Sequence, residues 1–562
     1  MPTHFFRYFF LILMILAVTA AVLIRTDFLR YAEPLALQSP PPAKHRVVLV
    51  PLDTRPACID YVTSLSGMAD MEIIQPPVEL MDNYLTPANR PELRAWLKDA
   101  CRAADYAIIS TDSLVHGGLM ASRLPIGNAE DYQNTLQLLR EIHAENPSLQ
   151  LHVFNIIPRL LVPDQLYDQT IRENILAFSI LKDKASRTPL PEELEQLKVL
   201  ETTLPPEVIQ RYLNLYQQND IFNSDLIKLT EAGVLQGLII GQDDGQPFGL
   251  PNGNKLSIEK ILAARPQLAD RVISTRGTDE VALTQMARLA NQQAPRKLRV
   301  HVIYSDPSIP DLIMPYMPHS VARTVEEKLK LLRCEPANSL WDADFILYIH
   351  IGRPDTPDLA ATLHQTSLQV QQLLASGRPL ALVDLSENFT LENTLLPTLI
   401  QDKANIARLT AYAGWNTSSN SIGTALAQST LFLNALHRPD APSRILELYE
   451  TNLNFLVRRF LEDGSFQLET FPFVNQALRQ AGNNPLQLGD DRSTDEVIRR
   501  LTSVDADYLF RRGLHNQIVS VMTADGPRQL LITSLQTDTT LPWRRLFEIR
   551  LRTTLSLAEI NP

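Results

Sequence analysis

The stretch LQGLIIGQDD, residues 235–244, runs through consecutive aliphatic side chains and stops abruptly at Gln242, Asp243 and Asp244. A strand with one wet face alternates apolar and polar residues. An unbroken aliphatic run instead implies burial on both faces, the condition of strands in a parallel sheet covered by helices. The same form recurs on either side. HRVVLVPLD (45–53), MEIIQPP (71–77), ADYAIISTD (104–112) and LHVFNIIPR (151–159) precede it. DRVISTRGTD (270–279), KLRVHVIYSD (297–306), ADFILYIHIG (343–352), RPLALVDLS (378–386) and ARLTAYAGWN (407–416) follow.

Helical patterns such as PELRAWLKDACRAA, DEVALTQMARLANQQ and ATLHQTSLQVQQLLASG lie between most of these runs. Strand–helix alternation implies α/β parallel sheets with right-handed crossovers. Ten strands divide into two sets of five, so the expected architecture is two doubly wound lobes, residues 46–260 and 261–425; a (β/α) barrel is the alternative. The connection 160–235 reads as two long helices, DQLYDQTIRENILAFSILKD and PEELEQLKVLETTLPPEVIQRYLNLYQ, forming a cap over the sheet edge or an outrigger with a packing role. From 426 to 562 the pattern turns to amphipathic helices with a terminal β element.

The 562 residues are 45% hydrophobic and 20% charged, and the net charge of −11 offers no basic face for a nucleic acid. Cys58, Cys101 and Cys334 have neither a disulfide framework's density nor metal-ligand spacing, and read as small buried hydrophobes. In residues 1–30, an apolar run over 8–24 follows Arg7, with Val18-Thr19-Ala20 as a small-residue cleavage site. Its length suits either a signal peptide or a membrane anchor. Residues 31–45 form a Pro-rich linker. The expectation is an exported, extracytoplasmic or periplasmic protein that meets a membrane only through this segment.

In either architecture the carboxyl ends of parallel strands face the ligand. Those ends are polar almost without exception: Asp53 and Arg55; Asp112 and His116; Arg159; Asp243 and Asp244; Asp279 and Glu280; and finally GWNTSSN, with Trp415, Asn416 and Asn420. Helix capping explains one Asp, Ser or Thr per turn. It does not explain adjacent carboxylates at 243–244 and again at 279–280, so the set reads as a pocket.

Paired carboxylates suit general acid–base or nucleophilic work on a glycosidic bond. Asp243 or Asp244 is the expected first catalytic carboxylate and Asp279 or Glu280 the second. Asp53, Arg55, Asp112, His116, Arg159, Asn416 and Asn420 would orient substrate, with Tyr412 and Trp415 stacking on sugar rings. A saccharide-binding protein without catalysis is the second expectation. The third is a metal-dependent ester or amide hydrolase, in which several of Asp53, Asp112, Asp243 and Asp244 would converge on one divalent ion. No zinc spacing, nucleophile elbow or Gly-rich phosphate loop occurs, so neither a resident metal nor an organic cofactor is assigned.

The segments VPLDTRP, STDSLVHGGLMASRLP, GQDDGQPFGL, RGTDE, AYAGWNTSSNSIGTALAQ and LPWRRLFEI, in that order, resemble the bacterial family catalogued as domain of unknown function 4127. The resemblance spans residues 46 to 550 and implies no activity of its own. Such members often accompany carbohydrate uptake and breakdown genes, which points toward sugars by association only.

Overall fold

A computed structural model describes residues 32–34, 44–124, 126–489, 492–523 and 526–560. The apolar run 8–24, expected to be a signal or anchor, lies outside them. Among the described residues no helix is long and apolar enough to cross a membrane.

Strand β1 (Ala32–Pro34) belongs to a C-terminal sheet considered below. The first large sheet contains β2 (His45–Val50), β3 (Met71–Ile74), β4 (Tyr106–Ser110), β5 (Gln150–Ile157), β6 (Gly237–Gln242) and β7 (Val272–Arg276). All are parallel, in the order β3-β2-β4-β5-β6-β7. The second contains β8 (Arg299–Tyr304), β9 (Glu335–Pro336), β10 (Phe345–Gly352), β11 (Leu380–Ser386) and β12 (Ala411–Ala413), again parallel, in the order β9-β8-β10-β11-β12. In each sheet the second strand lies outside the first and the third returns to the first strand's other side. That is a doubly wound order with a switch point between first and third strands. Two open sheets replace the barrel alternative. The aliphatic runs behave as expected, since every residue of β10 is buried and β5 is exposed only at Gln150.

Strand β7, grouped by sequence order with the second set, pairs with β6 through Leu238–Val272 to Gln242–Arg276. The fold's first sheet therefore has six strands. Aliphatic runs declare a strand, not its neighbour. The long connection forms three helices, Gln169–Arg187, Pro191–Thr203 and α1 (Pro206–Glu231). Pro205-Pro206 divides the second expected helix, because proline lacks the N–H and clashes with the preceding turn.

Helices α2 (Val281–Gln293), α3 (Val321–Leu332) and α4 (Ser418–Leu436) fill the seam between the sheets. Every residue of α4 from Ser418 to Ala435 is buried, as befits a helix surrounded by protein on all sides. This explains the small side chains of NTSSNSIGTA. A Cβ on Gly423 would lie 2.7 Å from Glu280 Cγ. The hydroxyls answer local backbone: Ser421 donates to Trp415 O at 2.7 Å, Ser419 donates to Arg276 O at 2.8 Å, and Thr417 accepts from Asn420 N at 3.3 Å. One apolar cluster joins Val47 and Leu49 of the first sheet, Leu347 and Val383 of the second, and Ile422 and Leu426 of α4. Each such aliphatic side chain contributes on the order of 1.5–3 kcal/mol by burial. The two sheets share one core.

Helix α4 runs through position 426, and α5 (Ala441–Arg459) passes into π-helical turns over Phe460–Thr470. A four-stranded antiparallel sheet then forms from β13 (Ile518–Thr523), β14 (Gly526–Thr540), β15 (Arg550–Ile560) and β1. The segment LPWRRLFEI is the loop between β14 and β15. It reaches back to the end of β2, where Trp543 Nε1 donates to Thr54 Oγ1 at 2.8 Å.

Candidate functional site

Where the carboxyl ends of both sheets meet the C-terminal region there is a cavity of about 490 Å³, a ligand-sized volume. The first sheet contributes Arg55 after β2, Arg159 after β5 and Asp244 after β6. The second contributes Tyr316, Phe389, Trp415 and Asn416 from the loops after β8, β11 and β12. Glu462, Asp463 and Phe466 come from the π-helical turns, and Phe547 and Glu548 from the β14–β15 loop. A second hollow of about 480 Å³ shares Leu161, Asp244 and Tyr316 with the first. A narrow crevice beside them is lined by Asp243, Asp244, Thr417 and Asn420. Asp244 stands on the wall of all three.

Three non-glycine residues on the main wall hold left-handed backbone, Tyr316 at φ 63°, Phe389 at 56° and Asn416 at 56°. For bulky residues this conformation is unfavourable and tends to collect at working sites. Tyr316 and Phe389 project at the rim, 48% and 38% exposed, with ring centroids 6.3 Å apart.

The charges on the wall are mostly committed. Arg55 binds Asp53 through Nε at 2.9 Å and Asp279 through two nitrogens at 2.6 and 3.2 Å. Arg459 holds Asp463 at 2.8 Å and also pairs with Glu462, which accepts from Tyr61 OH at 2.9 Å. Glu462 Oε1 is buried and has no hydrogen-bond partner among the described residues. Burial pushes Asp463 up to about 6, opposed by Arg459 and by the Gly414 N–H.

Adjacent carboxylates in GQDD have opposite environments. Burial alone would raise Asp243, but Arg123, at 2.6 and 2.9 Å, and the nearby Arg159 hold it below the ordinary carboxylate range. Asp244 is pushed up to about 7 by burial and the neighbouring Asp243 charge, against the pull of Arg123 and Arg159. Its carboxyl makes no hydrogen bond or ion pair among the described residues. Neighbouring titratable groups driven apart in this way are a signature of acid–base sites.

The family model described as "Protein of unknown function (DUF4127)" matches residues 47–552. The chain belongs to this family. No curated protein and no solved structure matches it. The family segments quoted above, from VPLDTRP to LPWRRLFEI, all fall inside the matched range, and five of the six contribute to the cavity wall or to residues that brace it.

In this DUF4127 chain, Arg55, Arg159, Asp244, Trp415 and Asn416 line the main cavity. Asp53 and Asp279 brace it through Arg55, and Asn416 Nδ2 donates to Asp279 at 3.4 Å. Asp243 and Asn420 face the crevice. The other expected residues lie elsewhere. Glu280 is fully buried against Lys328 Nζ at 2.5 Å. Asp112 is buried and accepts from Ile156 N at 3.0 Å; burial raises its carboxyl to about 7. His116 accepts from Gly127 N at 3.0 Å and contacts Tyr132 OH at 3.2 Å, while burial and Arg90 lower it to about 4. Tyr412 is buried in the core, donating to Asp384 at 3.1 Å and packing on Phe460. A strand end fixes where a residue is, not which way its side chain turns.

Glu462, Asp463, Tyr316, Phe389, Phe547 and Glu548 were not singled out by sequence. The adjacent carboxylates of LEDG (461–464) were the available signal, masked by their helical surroundings. Of the four aspartates of the metal expectation three have separate partners, Asp53 on Arg55, Asp112 on a backbone N–H and Asp243 on Arg123, while Asp244 faces the cavity. Among the described residues no cluster of three or more His, Cys, Asp or Glu has metal-binding proximity.

Proposed function

We propose that this protein hydrolyses a glycosidic or related bond in a saccharide-containing substrate, with Asp244 as proton donor and Glu462 as the carboxylate that activates water. The observation that carries this is the Asp244 carboxyl, pushed up to about 7 on a ligand-sized cavity whose wall also carries a second, buried carboxylate, Glu462, with one oxygen that has no hydrogen-bond partner among the described residues. A proton donor must still hold its proton at the working pH. Asp244 gives that proton to the bridging oxygen as the bond to the anomeric carbon breaks; water attacks that carbon, and Glu462 takes the water's proton. Tyr61 and Arg459 hold Glu462 in place. The rings of Trp415, Tyr316, Phe389 and Phe547 offer apolar faces for sugar stacking.

Catalysis is favoured over binding by lobe closure because the sheets share one core and are tied by buried ion pairs, leaving a formed cavity rather than a hinge. The apolar run 8–24 and the Pro-rich linker support action outside the cytoplasm, on envelope or scavenged saccharide. The test is release of new reducing ends from a glycan panel by the wild type, with Asp244→Asn and Glu462→Gln alongside. Release lost in both variants supports the assignment. No release from any glycan, or release unchanged in Asp244→Asn, overturns it.

A further inference from the structure

Of the two arginines on the main cavity wall, Arg55 has its donors divided between Asp53 and Asp279. Arg159 has no carboxylate partner. Its Nε donates to Leu161 O at 2.8 Å, and its two terminal nitrogens donate to nothing else among the described residues. The nearby Arg123 is occupied by Asp243. Each acid on the wall except Asp244 likewise has a cation, Arg459 for Glu462 and Asp463, and Arg545 for Glu548. One cavity thus holds one uncommitted guanidinium and one uncommitted carboxyl, not in ion-pair contact with each other.

Arg159 is also firmly positioned. Tyr216 OH of α1 donates to its carbonyl at 2.8 Å, and Tyr212 OH donates to Leu160 O at 3.1 Å. Leu160 N donates to Asp244 O at 3.0 Å, tying the two segments into one unit. Asn219 of the same helix donates to Ile156 O at 2.8 Å. The helical insertion therefore braces the loop that carries Arg159 and, through it, Asp244. A partly buried guanidinium held still with unused donors is suited to a planar bidentate acceptor.

We infer that Arg159 is the anchor for a carboxylate on the substrate, so that the saccharide taken by this cavity is an acidic one, carrying a uronic acid or a lactyl-type carboxyl group close to the bond that reacts. This rests on the proposed glycan hydrolysis and narrows it to a substrate class. Burial and the neighbouring Arg123 lower Arg159's proton affinity, so an arriving anion relieves an unfavourable charge. The same anion near Asp244 adds to the negative field that keeps Asp244 protonated, coupling recognition to the acid's working state.

The test is calorimetric binding to Asp244→Asn protein, which keeps ligand intact, of four probes: hexuronate oligosaccharides, N-acetylmuramic acid-containing saccharides, and each with its carboxyl reduced to the alcohol. At least one carboxylated probe should bind about 10- to 100-fold tighter than its reduced twin, the range for a charge-assisted pair. That preference should weaken with added salt. Adding Arg159→Met should abolish the preference while leaving reduced-probe binding intact, which also certifies the fold, and Arg159→Lys should keep part of it. Which carboxylated probe is preferred distinguishes the uronate from the lactyl source. Equal binding of both twins, or a preference that survives Arg159→Met, overturns the inference and leaves glycan hydrolysis standing. Failure to bind any saccharide overturns both.

Discussion

Glu280 and Lys328 form an ion pair across the seam between the two sheets, with neither side chain exposed at all. Lys328 Nζ also donates to Arg276 O, and beside it Arg276 pairs with Glu327, which Lys255 approaches at 3.6 Å. Helix α3 is thus pinned to the first sheet by buried charges, of which Lys328 and Glu280 are wholly out of water. Breaking such a pair on one side costs about 3–5 kcal/mol, because the other charge stays buried without compensation. Lys328→Met should lower the unfolding free energy by that much, seen as a lower denaturant midpoint at unchanged slope, and Lys328→Met with Glu280→Gln should recover part of it. A loss under about 1 kcal/mol for the single variant would mean the seam does not depend on the pair.

Asp112 gives a pH prediction with a definite sign. Its folded carboxyl titrates near 7 instead of the ordinary 3.8, because burial outweighs the single N–H from Ile156. Between those values the folded state holds a proton that the unfolded state has released. Its contribution to stability therefore falls as pH rises through that window, and the loss is complete above about 7. Asp112→Asn should flatten the slope and be the more stable protein at about pH 8, by roughly 1–3 kcal/mol. Parallel stability–pH profiles for the two proteins would contradict this.

Activity should lose its high-pH limb as Asp244 deprotonates through about 7. Asp243→Asn removes a like charge beside Asp244 and releases Arg123, and both changes favour the ionised form. The limb should then move down by roughly one pH unit or more. An unmoved limb in the kcat/KM profile would exclude Asp244 as the titrating acid.

The aromatic rim is expected to act through binding. Tyr316 and Phe547 are 48% and 37% exposed at the cavity mouth, so truncation leaves the core untouched. Tyr316→Ala and Phe547→Ala should raise KM several-fold with kcat little changed, the pattern of lost uniform binding. A fall in kcat at constant KM would give these rings a role in the reaction itself.

Much of the fold was legible because its physics is local. Each of the ten aliphatic runs is a strand, since an unbroken apolar run has one stable destination, a sheet covered on both faces. Pairing is not local, which is why β7 joined the first sheet without any sequence sign of it. The site divided in the same way. Asp244, Arg159 and Trp415 could be found from strand ends alone. Side-chain direction could not, so Tyr412 turns into the core while Trp415, three residues on, reaches the cavity. Glu462 and Phe547 come from beyond position 426, where neither strand ends nor spacing pointed to a wall shared with the sheets.

The central claim is bond hydrolysis by Asp244, and the most direct measurement is mass spectrometry of a bound acidic glycan incubated with the protein in ¹⁸O-labelled water. Wild type is predicted to release fragments carrying one labelled oxygen, while Asp244→Asn binds the same glycan and cleaves it about 10²–10⁴-fold more slowly. Intact, unlabelled glycan recovered from a wild-type complex that binds it tightly would contradict catalysis and make the cavity a binding site.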